Sequence, residues 1–313
     1  MTDIYQTVTD RIIQSLEQGV APWIKPWDEA RQPGQPVMPQ NAITGRPYHG
    51  INIVLLWLAA AEKGYHQDRW LTFNQARQTG GTVSKGETST LVCFYKPMVR
   101  EVLDDDGRPV LDAEGRPEEK HFAILKGFNL FNVVQCEGLP AEVFQPGKPD
   151  VWATFDPVDE AERLIAASGA RIDHVAGEDA FYSPIQDRIQ LPARHQFAAA
   201  DRYYSTALHE LVHWTGHRSR LSREAVLNGA AYGSEEYAFE ELIAEMGMAF
   251  LCGQLGVQGE LQHERYIASW LMALKNDKRM IFKASGGARE ATEFLLQRAG
   301  MMPEGMTHVQ ACA

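Results

Sequence analysis

Apolar positions recur at helical spacing from the start of the chain, where Ile4, Val8, Ile12, Ile13 and Leu16 fall on one face and Gly19 follows as a stop. This pattern predicts an opening amphipathic helix, broken by the two prolines of APWIKPW and followed by a Pro- and Gln-rich loop to about Gln40. In NAITGRPYHGINIVLLWLAAAEKGY, turn residues lead into an apolar helix that ends at Gly64. The next stretch, RWLTFNQARQTGGTVSKGETSTLVCFYKPMVREV, predicts a short strand, a short helix, a turn at Gly80 and Gly81, and a β-branched and aromatic strand. A second strand is expected within HFAILKGFNLFNVVQCEGL. Between these strands the pattern acidic-Gly-Arg-Pro occurs twice, at Asp106 to Pro109 and Glu114 to Pro117. Each copy is a turn signal, so a protruding, mobile hairpin extension is expected there.

Pro140 to Trp152 holds four prolines or glycines and divides the chain into residues 1–140, a linker at 141–152 and residues 153–313. Beyond it, DPVDEAERLIAASGARIDHV reads as a helix ending at Gly169 and then a strand, and AFYSPIQDRIQLP as strand, turn and strand. A long helix is expected within SREAVLNGAAYGSEEYAFEELIAEMGMAFLCGQLG, and the last hundred residues are expected to be mainly helical. The second part is thus an α+β unit whose small sheet precedes its helices. A length of 313 residues suits two domains. The longest apolar run, Ile51 to Ala61, is far short of the roughly 20 residues that span a bilayer. The N-terminus lacks the basic start and apolar run of an export signal, so a cytoplasmic location without membrane attachment is expected. Cys93, Cys136, Cys252 and Cys312 form no CxxC, which argues for reduced thiols and against a cysteine zinc site.

A net charge of −11 argues against a protein that coats nucleic acid indiscriminately. The acidity is uneven. Residues 100–120 carry 4 basic and 8 acidic side chains, and without them the first 140 residues hold 10 basic against 9 acidic.

The clearest chemical signal is His209-Glu210-Leu211-Val212-His213. Residues four apart on a helix project from nearly the same face, so both imidazoles can address one tetrahedral zinc. Glu210 then stands beside the open coordination position as general base, taking a proton from water and passing it to a leaving amine. In a chain of this composition an HExxH arises by chance roughly 0.02 to 0.03 times. For the third ligand, Ser219 occupies the place of the metzincin histidine, and His217 follows Gly216, which is expected to end the helix first. The later segment YAFEELIAEMGMAFL is the better source, because Glu241 and Glu245 lie one turn apart beside an apolar stripe of Leu242, Met246, Ala249 and Phe250. This resembles the gluzincin arrangement, which implies Glu241 as ligand and Glu245 as the carboxylate that orients a metal-bound histidine. Glu240 remains the alternative ligand. Imidazole and carboxylate suit zinc and also other divalent ions such as Mn²⁺.

The first half offers no phosphate loop, but it interleaves aromatics with cations and amides: Arg46, Tyr48, Asn52, then Arg69, Trp70, Phe73, then Lys85, Phe94, Tyr95, Lys96, then Lys126, Phe128, Asn129. Single-stranded nucleic acid is held by such mixtures, since bases stack on rings while cations hold phosphates. Arg46, Tyr48, Trp70, Lys85, Tyr95 and Lys96 are the expected DNA contacts. The succession TVTDRIIQSLEQGVAPWIKPW, NAITGRPYHGINIVLL, DRWLTFNQARQTGGTVSKGETSTLVCFYKP, FNLFNVVQCEGLP, FYSPIQDRIQLP, STALHELVHWTGHRSRL and YAFEELIAEMGMAFL resembles the ArdC antirestriction family of conjugative plasmids over nearly the whole chain. The resemblance implies an α+β protein with an N-terminal mixed α/β domain that binds single-stranded DNA, shared with some plasmid primases, and a C-terminal zincin-like metallopeptidase domain. It implies protection of incoming plasmid DNA from host restriction during conjugation. A host protein would be the substrate if the site is hydrolytic; otherwise the chain would protect by coating DNA, with a structural or silent metal site.

Overall fold

The computed structural model describes residues 3–23, 38–104, 108–111, 115–144, 157–229, 234–258 and 267–302. Helix α1 (Ile4–Glu17) starts where the Asp3 carboxylate accepts from the Gln6 amide at 3.3 Å, and it buries Val8, Ile12 and Leu16 on one face, as its periodicity predicts. Helix α2 (Ile51–Lys63) is apolar nearly all round and is buried accordingly. It closes at Gly64 with φ +68°, a left-handed cap that a side chain would strain.

Four strands form the first sheet in the order β1-β2-β5-β4, comprising β1 (Gln40–Asn41), β2 (Arg69–Leu71), β4 (Thr90–Glu101) and β5 (Glu119–Asn132). Helix α3 (Phe73–Gln78) follows β2 behind a Thr72 capping box, and β3 (Thr82–Val83) pairs with β6 (Cys136–Glu137) in a separate ribbon. Strands β4 and β5 run antiparallel from Thr90 opposite Leu130 to Glu101 opposite Glu119. Past their ends the described segments around Val102, Val110 and Glu118 lie side by side, since the Val110 amide donates to the Val102 carbonyl and the Val110 carbonyl accepts from the Glu118 amide, while residues 105–107 and 112–114 between them lie outside the described residues. The expected hairpin extension is therefore present as a three-segment tip. Trp70 corrects an expectation: it is fully buried in β2, edge-on to Tyr65, and packs with Leu56, Val92 and Leu130, so it is a core residue with no face to offer a base.

After α4 (Ala141–Phe144), residues 145–152 of the expected linker lie outside the described residues. The later part comprises α5 (Pro157–Ser168), a three-stranded sheet in the order β7-β9-β8, and then α6 (Ala200–Thr215), α7 (Glu224–Leu227), α8 (Glu235–Leu255), α9 (Ile267–Asn276) and α10 (Met280–Ala299). Strand β9 (Arg188–Pro192) is central, parallel to β7 (Arg171–Val175) and antiparallel to β8 (Phe181–Ser183). One hydrophobic core joins the two parts. Trp23 packs edge-on against Trp270 at 5.4 Å, Trp57 against Phe250 at 6.2 Å, and Thr9 donates to the Lys278 carbonyl at 2.7 Å. Cys93, Cys136 and Cys252 are buried free thiols, and burial pushes the Cys93 thiol up to about 12. Among the described residues no helix is long and apolar enough to cross a membrane.

Candidate metal centre

Helix α6 presents its Leu208, Leu211 and Val212 side to the core, and the same turns bury His209 and Glu210. It ends at Gly216, where a Cβ would lie 2.6 Å from a Val226 methyl. The chain thus folds back tightly over the end of the helix. Helix α8 begins at Ser234, whose hydroxyl accepts from the Tyr237 amide at 3.1 Å, and crosses α6 where Gly247 meets Val212. A Cβ at position 247 would stand 2.8 and 2.9 Å from the two Val212 methyls. Gly247→Ala removes about 1 kcal/mol of helix penalty on propensity alone, yet the overpacking it forces costs about 1–3 kcal/mol. A lowered urea midpoint is expected, regained in Gly247→Ala with Val212→Ala; a raised midpoint in the single variant would contradict this close approach.

That approach brings Glu241 to the two histidines. His209 Nε2 and His213 Nε2 are 3.2 Å apart, Glu241 Oε2 is 3.6 Å from the first and Glu241 Oε1 3.5 Å from the second. Ligands at about 2.0–2.1 Å around a tetrahedral zinc stand about 3.3–3.4 Å from one another, so the donor set fits a divalent ion. These three residues form the group of metal-ligating side chains among the described residues, with ligand atoms within 4.8 Å of one another. On the far side of the rings, His213 Nδ1 lies 3.1 Å from Glu240 Oε1, and His209 Nδ1 lies 4.0 Å from Glu245 Oε1. A proton on Nδ1 facing a carboxylate leaves Nε2 as the lone-pair nitrogen that a metal requires.

Glu240, the alternative ligand by sequence, thus stands behind His213 rather than among the converging donors. Arg223 holds it there, Nε donating at 2.9 Å and Nη2 at 2.6 Å to its two oxygens. The same guanidinium donates to the Val212 carbonyl and the Thr215 hydroxyl, both at 2.7 Å, and so closes the last turn of α6. Sequence reasoning missed Arg223, and no local pattern marks it.

The electrostatics favour a cation. Burial opposes charge on His213, but Glu240 and Glu241 outweigh it and raise the imidazole to about 10; His209 is likewise raised against its burial, chiefly by Glu241. Burial would raise Glu241, yet the two histidines hold it far below the usual carboxylate range. Without a metal the pocket stabilises protons on its imidazoles, and a divalent ion would take their place.

His217 lies away from this group, its Nδ1 2.8 Å from the Ser219 hydroxyl, because Gly216 ends the helix before it. Arg220 stacks on Trp214 at 3.8 Å and donates to Asp187 at 3.0 Å and to the Tyr182 hydroxyl at 3.2 Å, tying β8 and its turn to the end of α6. Tyr203 and Tyr204 are buried, with hydroxyls on His174 and Glu162.

The expected DNA contacts differ in exposure. Arg46 is exposed in the turn after β1, Lys85 is exposed after β3, and Tyr48 is half-buried with its hydroxyl 3.4 Å from the Asn41 amide. Tyr95 and Lys96 lie on β4, and their side chains lie outside what the structure describes. Phe94 and Phe128, read from sequence only as members of the interleaved set, emerge as exposed rings.

Comparison with known proteins supplies the lineage. Residues 2–131 match the N-terminal domain of the anti-restriction factor ArdC, and residues 159–287 match a zincin-like metallopeptidase domain. Two Escherichia coli proteins named DNA primase TraC are 41% and 39% identical over 93% of this chain, and the chain spans only 20% and 27% of their lengths. An uncharacterized Sinorhizobium fredii protein, y4eC, is 35% identical, with 94% of this chain and 92% of y4eC covered. The crystal structure of the metal-free antirestriction protein ArdC from plasmid R388 superposes with a TM-score of 0.76 at 40% identity, covering 97% of this chain and all of that one. The Mn(II)-bound structure of the same protein gives 0.73 at 39% identity, covering 96% of this chain and again all of that one. With this full-length agreement added to both domain matches, the chain belongs to the ArdC family of antirestriction proteins.

Proposed function

We propose that this chain is a cytoplasmic antirestriction protein that binds single-stranded DNA through residues 1–140 and carries a zinc-dependent, peptidase-type site in residues 153–313, protecting incoming plasmid DNA during conjugation. The observation that carries the reading is the convergence of His209 Nε2, His213 Nε2 and Glu241 at metal-ligand separations, with Glu240 and Glu245 behind the rings. Family membership supports the antirestriction role, and the Mn(II)-bound relative supports a divalent ion, zinc or manganese.

His209, His213 and Glu241 would hold the metal, which when bound would supply Lewis acidity to water and to a scissile carbonyl. Glu210, buried one residue beyond His209, takes the proton of the attacking water and delivers it to the leaving nitrogen. Glu240 keeps the His213 ring proton on Nδ1, and the Glu245 carboxylate, 4.0 Å from His209 Nδ1, favours the same tautomer there by its charge. Among the described residues strand β8 lies at the sheet edge beside α6, where an extended peptide segment of a host protein would add along its side away from β9.

Elemental analysis of the purified chain tests this directly. About one divalent ion per chain is expected, and none in a His209→Ala, His213→Ala variant of unchanged circular dichroism. A wild-type chain that takes up no metal after incubation with zinc would overturn the reading.

A further inference from the structure

Alternate residues of a strand share a face, so the β4–β5 register sorts this hairpin into two surfaces. Leu91, Cys93, Leu125 and Gly127 turn to the main core, and a Cβ on Gly127 would lie 2.8 Å from Leu91. The other surface starts with Val92 and Leu130 buried under α2 and then leaves the protein. There Phe94 is 53% exposed and Phe128 47%, their rings 6.1 Å apart and perpendicular. Lys126 stands directly opposite Phe94, and Arg100 opposite Lys120 continues the surface, all three cations being exposed.

The charge on this hairpin is the reverse of that of the whole chain. From Thr90 to Arg100 and from Lys120 to Leu130 there is no Asp or Glu, in a protein of net charge −11. Carboxylates resume only at Glu101 and Glu119, where the acidic tip begins. Exposed rings flanked by cations and free of carboxylates complement an anion that carries flat apolar groups. Bases present such faces when they are unpaired, whereas a duplex keeps them stacked inside.

We infer that this face of the β4–β5 hairpin is the single-stranded DNA platform, with bases stacking on Phe94 and Phe128 and phosphates held by Lys126, Arg100 and Lys120. The inference rests on the DNA-binding part of the function proposed above and gives it a place.

Fluorescence anisotropy of a labelled 20-nucleotide oligo-dT with the full chain tests it. Phe94→Ala with Phe128→Ala is expected to weaken binding about 10-fold or more, and Phe94→Trp with Phe128→Trp to retain it, because stacking on any ring tolerates the exchange. Lys126→Glu should weaken binding and lower its salt dependence. Both rings are exposed, so melting temperature and metal content serve as controls for folding. Wild-type binding with all variants within twofold of it would overturn the platform while leaving DNA binding intact. Duplex DNA bound as tightly as oligo-dT would overturn stacking as its basis. A wild-type chain that does not bind oligo-dT would instead sink the DNA-binding reading itself.

Discussion

Glu241→Ala is expected to abolish stoichiometric metal binding, whereas Glu240→Gln should weaken it only about 10–100-fold, the usual cost of disturbing a carboxylate behind a metal-bound histidine. The two residues are neighbours in sequence but face different atoms. Glu241 has one oxygen 3.5 Å from His213 Nε2 and the other 3.6 Å from His209 Nε2, so its removal takes away a donor on the metal side of both rings. Glu240 meets His213 on Nδ1 and is engaged by Arg223. Glutamine is the instructive replacement there, since its carbonyl oxygen still accepts from Nδ1–H although the negative charge is gone, while alanine would leave the buried Arg223 guanidinium with neither anion nor acceptor, at about 3–5 kcal/mol. Competition titration of zinc against a chromophoric chelator separates the outcomes. Retention of tight metal by Glu241→Ala together with its loss from Glu240→Gln would exchange the two roles.

For Glu210→Gln the expected result is opposite in kind: metal content and melting temperature are kept, while hydrolysis falls about 10²–10⁴-fold, the range general-base catalysis contributes. Glu210 lies on the same helix as the histidines but outside the set of converging ligand atoms. The amide is nearly isosteric with the carboxylate and cannot accept the water proton. The informative readout is survival of unmodified plasmid DNA transferred into a restricting recipient. Loss of protection with metal retained ties antirestriction to hydrolysis. Full protection by Glu210→Gln would detach the peptidase site from antirestriction and leave DNA coating as the protective act.

Much of this molecule is local in origin and therefore legible without coordinates. The Ile4 to Leu16 stripe, the stop at Gly64 and the strand-turn-strand of Phe181 to Pro192 form as read, because periodicity, left-handed glycine caps and turn chemistry act over a few residues. The spacing of His209 and His213 likewise requires only that the segment be helical. Choosing between Glu240 and Glu241 is different. Adjacent residues on a helix point about 100° apart, so the rotation of α8 against α6 decides, and the contact of Gly247 with Val212 sets it. Arg223 reaches its partner from 17 residues away, a distance over which no periodicity carries.

The aromatics follow the same division. Composition identifies a set of rings near cations, but Trp70 and Phe94 look alike in sequence, and only pairing and layering make one fully buried and the other half exposed. The core shared by α1, α2 and the C-terminal helices was also invisible from the chain, whose Pro- and Gly-rich stretch marks a boundary that hydrophobic packing then crosses. The long helices, the strand pairs and the HExxH face rest on neighbours within a few turns and so were legible in the chain, and the family on the order of its motifs along the whole of it. Which carboxylate meets the Nε2 side of both rings, that Arg223 holds the other one behind His213, and which rings reach solvent all depend on how distant surfaces fit together under close packing, so they emerge only from the fold.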